Sequence, residues 1–495
     1  MRLQVSNIGK ISRAEIDMQG LTVIVGNNST GKSTISKSLY AIIQGFHNFT
    51  EKISIKKREV LIRELRKWIK SLSMELRVLD NKYRHKSKYL ENISIVRNYI
   101  ESFNRFNDRP SLVFKSDGSK QEEFNYFEWM ESEEKFREKI IEVFSLNELQ
   151  NVLTQIDEEP LIQNKLDKID RLYEEIKKET EEEKISREIL NEILKRCFAN
   201  GFSTQFNDNA TEIRLYPLDE NEEHCARIFR KKNAEYISDF SYMDFDENIV
   251  YIQPMHILDD NGSLRFLFWD SKSEKIQDRL LTQLKIEDDF KNIEESEECN
   301  KLIKQIDDIL SIHDSEFDNE PIGSAQMEEA PFADTKFTYK DDQLNNAIDF
   351  IDVASGIKNV TVLKRLVANG ILHKGSLLII DEPEVNLHPD WQMKFAEILV
   401  MLRKVLHIQV LINTHSPYFM RAIECYSDLY GIFDDLNIYR TVKDSSTRYQ
   451  YTVENVSEIE NGVEYLYYQM SRPFAKLQEM LEEKRNKELP VYFKE

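Results

Sequence analysis

The chain has 495 residues, of which 41% are hydrophobic and 11% aromatic, and its 67 Lys and Arg against 88 Asp and Glu give a formal net charge of −21. That is about three domains' worth of chain at roughly 150 residues each, with enough apolar material for a buried core, so wholesale disorder is excluded. So acidic a chain does not carry a uniformly basic nucleic-acid coat, although a local basic patch stays open. The N-terminal MRLQVSNIGK lacks a charged-then-apolar signal region. No run approaches the roughly 18 apolar residues of a membrane span, so a cytoplasmic location with no membrane contact is expected. Cys197, Cys225, Cys299 and Cys425 lie far apart with no CxxC pair. They read as isolated reduced thiols and argue against a zinc site.

In chain order, residues 1–48 predict strands feeding a Gly- and Asn-rich turn and then a helix: LTVIV, the turn, and STISKSLYAII. Residues 49–204 read as a charged helical insertion. Within it Ile162, Leu166, Ile169, Tyr173 and Ile176 step by 4, 3, 4, 3, a seam of about two heptads that predicts a helical hairpin packed on itself rather than a long coiled coil. Residues 205–285 return to strand-like pieces, TEIRLYPL, NIVYIQP and LRFLFW. Residues 286–335 form an acidic insertion, with 15 acidic side chains against 3 lysines between 287 and 329, and are expected to be solvated. Residues 336–495 are α/β again, with SLLIID and IQVLINTH separated by a helix. One set of core strands is therefore split between the two ends of the chain.

Gly26-Asn27-Asn28-Ser29-Thr30-Gly31-Lys32-Ser33 matches G-x-x-x-x-G-K-[ST], follows the apolar strand Leu21–Val25 and opens a helix, which is the context that motif requires. Its glycines let backbone N–H groups turn inward around phosphate oxygens, and the helix start adds partial positive charge. Lys32 can reach the β- and γ-phosphates, and the Ser33 hydroxyl can ligate Mg²⁺; Thr34 lies next along the helix. ATP and Mg²⁺ are the expected cofactors.

Ser376-Leu377-Leu378-Ile379-Ile380-Asp381-Glu382 is apolar on both faces, which suits a central parallel strand. Two acids at its tip are costly to bury unless they serve a cation or water. Asp381 is placed to hold the Mg²⁺ shell and Glu382 to orient or deprotonate the attacking water. Thr414-His415-Ser416-Pro417 ends a second apolar strand, and a His there can contact a γ-phosphate. Ala354-Ser355-Gly356 precedes a helix and makes a further phosphate-seeking N-terminus; by itself it is an ordinary cap. The fixed order of phosphate turn, helical insertion, Ser-Gly helix start, acidic strand and strand-end His carries the reading.

With those residues on the page, the chain resembles the ABC-type ATPase heads of the SMC/RecF/OLD group. Asn7-Ile8-Gly9-Lys10-Ile11 resembles the strand that such heads place beside the nucleotide, and Gly26–Ser33 resembles their Walker A. Asp381 and Glu382 match Walker B, Glu384-Val385-Asn386-Leu387-His388-Pro389 resembles the OLD-like E-x-x-L-H-P D-loop, and His415 the switch histidine. By resemblance Gln253 in VYIQP is the Q-loop glutamine, with a catalytic and metal-binding role, and Ser355-Gly356 a shortened signature motif whose second glycine is Ile357 here. The resemblance implies an α/β fold: an ABC-type P-loop head with a parallel core sheet, flanking helices and an antiparallel N-terminal part, interrupted by a long helical insertion. It also implies pairing of two heads over ATP.

Nuclease members of the OLD branch carry a C-terminal TOPRIM domain with a Glu and a DxD. The residues after His415 contain no DxD, and no H-x-E…C-x-x-C, HExxH or HNH-like His cluster occurs in the chain. An OLD-like head without TOPRIM resembles the ATPase subunits of bacterial antiphage systems such as the Septu ATPases. That likeness implies a separate effector chain, such as an HNH nuclease. The alternative is a RecF- or SMC-like ATPase of DNA repair or chromosome handling. Residues 51–90 contain 13 Lys and Arg against five acids, which would suit a DNA backbone, the acidic 287–329 stretch of a neighbouring subunit, or plain solvation.

Overall fold

The structure is a computed structural model. It describes residues 1–50, 182–198, 211–216, 225–230, 236–240, 248–253, 293–311, 324–330, 333–340 and 346–488, the strands at 112–114 and 120–123, and single positions within 52–63 and at 280, 283 and 284. The chain divides into two compact units, residues 1–47 with 190–495, and residues 48–189.

The first unit opens with the hairpin of β1 (Arg2–Ile8) and β2 (Ile11–Asp17), then β3 (Leu21–Val25), whose five residues are all buried, and α1 (Lys32–Phe46). In the second unit β4 (Leu112–Phe114) pairs antiparallel with β5 (Lys120–Glu123). In sequence α2 (Glu182–Phe198) spans the boundary at residue 190, and the first unit resumes with β6 (Thr211–Tyr216), β7 (Ala226–Arg230), β8 (Tyr236–Phe240) and β9 (Ile249–Ile252). They are followed by α3 (Ile293–Ser311), β10 (Ser324–Ala330), β11 (Ala333–Lys340), β12 (Ile348–Asp349), α4 (Ser355–Ala368) and β13 (Leu377–Asp381). The chain continues with α5 (Pro389–Leu406), β14 (Gln409–Thr414), α6 (Pro417–Leu429), β15 (Leu436–Lys443), β16 (Tyr451–Asn455) and α7 (Gly462–Glu488).

Eleven strands form one sheet in the order β8-β7-β6-β1-β2-β16-β15-β3-β14-β13-β9. Its two halves differ for a reason visible in composition. β15, β3, β14, β13 and β9 are mutually parallel, and β3, β13 and β9 are buried along their whole length, as strands covered by helices on both faces must be. β1 and β6 alternate between buried and half-buried residues and pair antiparallel, as does β1 with β2, the pattern of a sheet covered on one face. The expected α/β fold with a parallel core and an antiparallel N-terminal part is the one observed.

Strand alternation sorts the parallel core into two layers. Val23, Val25, Val250, Ile252, Leu378, Ile380, Val410 and Ile412 join one cluster with residues of α3, α4, α5 and α6. The intervening positions turn to α1: the rings of Tyr40 and Tyr251 are 5.6 Å apart, and Asn413 Nδ2 donates to Ser36 Oγ at 2.7 Å. By this parity Tyr251, Asp381 and Asn413 share the α1 face.

The acidic stretch departs from expectation. Its helix α3 is not a solvated appendage: Cys299, Leu302, Ile306, Ile309 and Leu310 are buried in the main cluster. Those positions recur at helical spacing, so the acids occupy the outer face while the inner face is core. Lys364 on α4 binds Asp307 at 2.6 Å, and Lys394 on α5 donates to the Leu310 carbonyl at 2.8 Å. Residues 324–330, part of the same acidic stretch, form β10 in a separate sheet of order β10-β11-β12. The apolar seam of 162–176, the strand-like LRFLFW and most of the basic stretch 51–90 lie outside the described residues.

Candidate functional site

The turn from β3 to α1 is shaped by two close approaches. A Cβ on Gly26 would lie 2.0 Å from Thr441 Oγ1, so only glycine fits under β15. Gly31 has φ +101°, and a Cβ there would meet Ile11 Cδ1 at 2.7 Å, which makes glycine doubly necessary. Ser29 also takes a left-handed φ of +63°. Thr441 Oγ1 donates to Thr30 Oγ1 at 2.9 Å, and Thr30 Oγ1 donates to the Asn27 carbonyl at 2.9 Å, tying the turn to the C-terminal hairpin. Asn27, Asn28 and Ser29 form the exposed tip. Thr34 approaches the β1–β2 turn, where a Cβ on Gly9 would sit 3.3 Å from Thr34 Oγ1. Gly31 caps α1 with no side-chain hydrogen bond, the arrangement that leaves a helix N-terminus to an anion.

Lys32 is 5% exposed, and its ammonium donates to the carbonyls of Gly26 at 2.8 Å and Asn27 at 3.0 Å. Burial lowers its pKa, opposed by the charges of Glu382, Glu384 and Asp381. The ammonium is thus curled onto its own turn, with three acids close enough to be felt.

Those acids come from the C-terminal end of β13. Asp381 is 4% exposed; Tyr251 donates to its Oδ2 at 2.6 Å, Asn413 Nδ2 donates to its Oδ1, and the Ser33 side chain is bonded to it as well. Burial pushes the Asp381 carboxyl above the usual carboxylate range, and these hydrogen bonds pull the other way. Tyr251 is raised well above the ordinary tyrosine value, by burial first and by the Asp381 charge second. Glu382 takes a left-handed φ of +48°, its N–H donating to the Asn413 carbonyl at 2.8 Å. That conformation is uncommon for a side chain without local hydrogen bonding. It carries the carboxylate to within 3.7 Å of His415 Nδ1. Glu384, 5% exposed, lies 3.2 Å from the same nitrogen.

The structure therefore gathers Lys32, Ser33, Asp381, Glu382 and His415 at the C-terminal ends of adjacent parallel strands β3, β14 and β13, where a ligand crevice is expected in an open α/β sheet. Gln253, one residue past β9, bonds the Tyr251 hydroxyl, so its link to Asp381 runs through that phenol. Ser355 and Gly356 open α4, which packs on α3 and β10. Four side chains at the site escaped sequence reasoning as individuals. Tyr251 and Asn413 lie on the runs NIVYIQP and IQVLINTH, but their sharing a face with Asp381 follows from strand register, and Glu384 belongs to the E-x-x-L-H-P run. Nothing in the sequence pointed to Thr441. Among the described residues, no group of three or more His, Cys, Asp or Glu is arranged to hold a metal ion by itself, and no helix is long and apolar enough to cross a membrane.

Among solved structures, the chain is similar to an SMC head bound to the C-winged helix domain of ScpA, at 11% identity over 92% of this chain and 97% of that one with a TM-score of 0.38. It is similar to the SMC head domain from Thermotoga maritima, at 10% identity over 92% and 98% of the two chains with a TM-score of 0.35. An SMC head with a coiled coil and joint from Pyrococcus yayanosii gives 13% identity over 94% and 98%, with a TM-score of 0.33. Residues 1–420 match the AAA ATPase domain family. That stretch includes the phosphate turn, the acidic strand end and His415, and the chain belongs to this family.

Proposed function

We propose that the chain is a Mg²⁺-dependent ATPase of the ABC type in which two copies pair over ATP, and that this pairing controls a separate effector chain, a nuclease, in defence against phage. The observation that carries the ATPase reading is the Ser33–Asp381 hydrogen bond beside the buried Lys32. It joins a hydroxyl and a carboxylate, both hard oxygen donors, at the mouth of a phosphate turn. An acid buried so deeply that its charge is disfavoured suits a site for a divalent cation, and Ser33 and Asp381 are the residues that would hold Mg²⁺. When bound, the ion supplies charge neutralisation to the β- and γ-phosphate oxygens.

The chain's own groups do the rest. Lys32 exchanges its two backbone carbonyl acceptors for phosphate oxygens. The inward backbone N–H groups of 26–33 and the α1 N-terminus hold the remaining phosphate charge. Glu382, turned out of the strand by its left-handed φ, orients and deprotonates the attacking water. His415 meets the γ-phosphate. Ser355 and Gly356 act in trans, closing on the γ-phosphate of the other copy. ATP then couples the two copies, and its loss reopens them. The effector reading rests on the order of motifs and on Glu384–Pro389. A DNA-handling ATPase of RecF or SMC type is the second reading, favoured by the 13 cations of residues 51–90.

Calorimetric titration with ATP and a phosphate-release assay test the site. Lys32→Ala is expected to abolish ATP binding, whereas Glu382→Gln binds ATP normally and slows hydrolysis by roughly 10²-fold or more. Equal ATP affinity in wild type and Lys32→Ala would sink the assignment. Identifying what co-purifies with the chain from its host separates the readings: a nuclease supports effector control, DNA-repair or chromosome proteins the alternative.

A further inference from the structure

One buried carboxylate at the site has no task in the chemistry above. Glu384 follows Walker B by two residues, and its side chain is 4% exposed. Three donors converge on one of its oxygens, and the His415 ring lies against it. Oε1 accepts from Thr414 Oγ1 at 2.7 Å, from the His415 backbone N–H at 2.8 Å and from the Ser416 N–H at 3.1 Å, and it lies 3.2 Å from His415 Nδ1. Oε2 is buried and has no partner among the described residues. Leaving a carboxylate oxygen dry and unpaired is unfavourable, and a neutral side chain would avoid much of that cost. The charge is therefore kept for what Oε1 holds: the ring of His415 and the start of α6, whose cap is Ser416.

We propose that Glu384 is a positioning residue that fixes the His415 ring by its Nδ1, leaving Nε2 for the γ-phosphate, and that joins the loop after β13 to the loop after β14. The inference rests on the reading of His415 as the γ-phosphate contact. Its geometry is local and rigid. Glu384 grips the backbone on both sides of the His415 side chain, so the imidazole is held at its Cα and at its ring. Glu382 stands 3.7 Å from the same Nδ1, so two carboxylates face that nitrogen. A γ-phosphate that moves His415 must then move Glu384, and with it the exposed Asn386 and His388 of the E-x-x-L-H-P run. Asn386, at φ +60°, is held there in a left-handed conformation.

The test uses the full-length chain with Glu384→Gln, His415→Ala and the double variant, comparing ATP turnover with affinity for ADP, which lacks the γ-phosphate. Glutamine keeps an acceptor for the backbone N–H groups but removes the charge facing Nδ1. Turnover is expected to fall roughly 10–100-fold in Glu384→Gln with ADP affinity within about twofold of wild type, and the double variant should be no slower than His415→Ala. Glu384→Asp, which keeps the charge but draws it back by a methylene, is a second variant expected to show the same pattern. Three results would overturn the proposal alone: unchanged turnover in both Glu384 variants, deficits that multiply in the double variant, or an ADP affinity that falls in step with turnover, as a merely structural role predicts. A wild-type chain that binds no ATP would overturn both this inference and the function beneath it.

Discussion

Asp381 shows at the scale of one residue how a site is held at the expense of stability. Its carboxylate is accepted into the interior by three hydrogen bonds, yet burial still leaves its pKa raised. A carboxyl whose folded-state pKa lies above its unfolded value stabilises the fold fully below the unfolded pKa, and that contribution is lost as pH rises through the folded one. At neutral pH the ion-free chain therefore carries the cost of an ionised Asp381. Asp381→Asn is expected to raise the thermal midpoint of the nucleotide-free chain at pH 7 by about 2–4 °C, the scale of other substitutions that relieve functional strain. The gain should shrink as the pH is lowered towards the ordinary carboxylate range. Thermal unfolding at several pH values measures it, and a midpoint that drops at neutral pH would contradict the account. The same substitution should abolish ATP hydrolysis.

At the scale of the element, α3 and the turn 26–31 show opposite degrees of legibility. The turn was readable because its spacing of glycines, lysine and serine after an apolar strand is a local pattern, although the Cβ clashes at Gly26 and Gly31 come from the distant Thr441 and Ile11. α3 was misread because charge dominates its composition while its buried face consists of a few apolar residues at 3- and 4-residue steps. Ile306 is fully buried in the main cluster. Ile306→Ala is expected to destabilise the chain by about 2–5 kcal/mol, the usual range for a buried Ile truncation. The exposed Glu298, about two turns earlier on the same helix, should tolerate alanine within about 0.5 kcal/mol. Chemical denaturation of the two variants checks this, and equal stabilities would return α3 to the status of a solvated appendage.

At the scale of the whole molecule, charge is distributed unevenly, and residues 51–90 are the exception in an acidic chain. If they track a nucleic-acid backbone, reversing charge at Arg63, Arg66, Lys67 and Lys70 should weaken DNA binding for all sequences alike. It should also flatten the salt dependence by up to roughly 0.9 in log–log slope for each duplex phosphate contact removed. If they pair with an acidic surface of a second copy, the same variant should change oligomer mass by light scattering and leave the DNA curve flat. Charge runs are usually solvated or protein-paired, so the change in mass is the expected outcome. An unchanged mass and an unchanged DNA curve together would remove both ideas. ATP turnover without DNA should be untouched in either case, because these residues lie outside every nucleotide motif.

The sequence by itself determined what short-range rules govern. The apolar runs Leu21–Val25, broken only by Thr22, and Leu377–Ile380 marked β3 and β13 as buried strands, the G-x-x-x-x-G-K-S spacing marked the phosphate turn, and the acids after Ile380 marked a strand end with chemistry. Only the tertiary structure decided which distant side chains complete the site. Thr441 lies 411 residues from the Thr30 it bonds, and Asn413 lies 377 from Ser36. Tyr251 and Asn413 enter because strand register and the two-residue period turn them to the same face as Asp381. Glu384 enters because the β13 and β14 loops emerge side by side. The physical reason is one of range: turn conformation and strand burial are set by neighbours in sequence, whereas a hydrogen bond across a sheet needs the sheet's order, which no local pattern encodes.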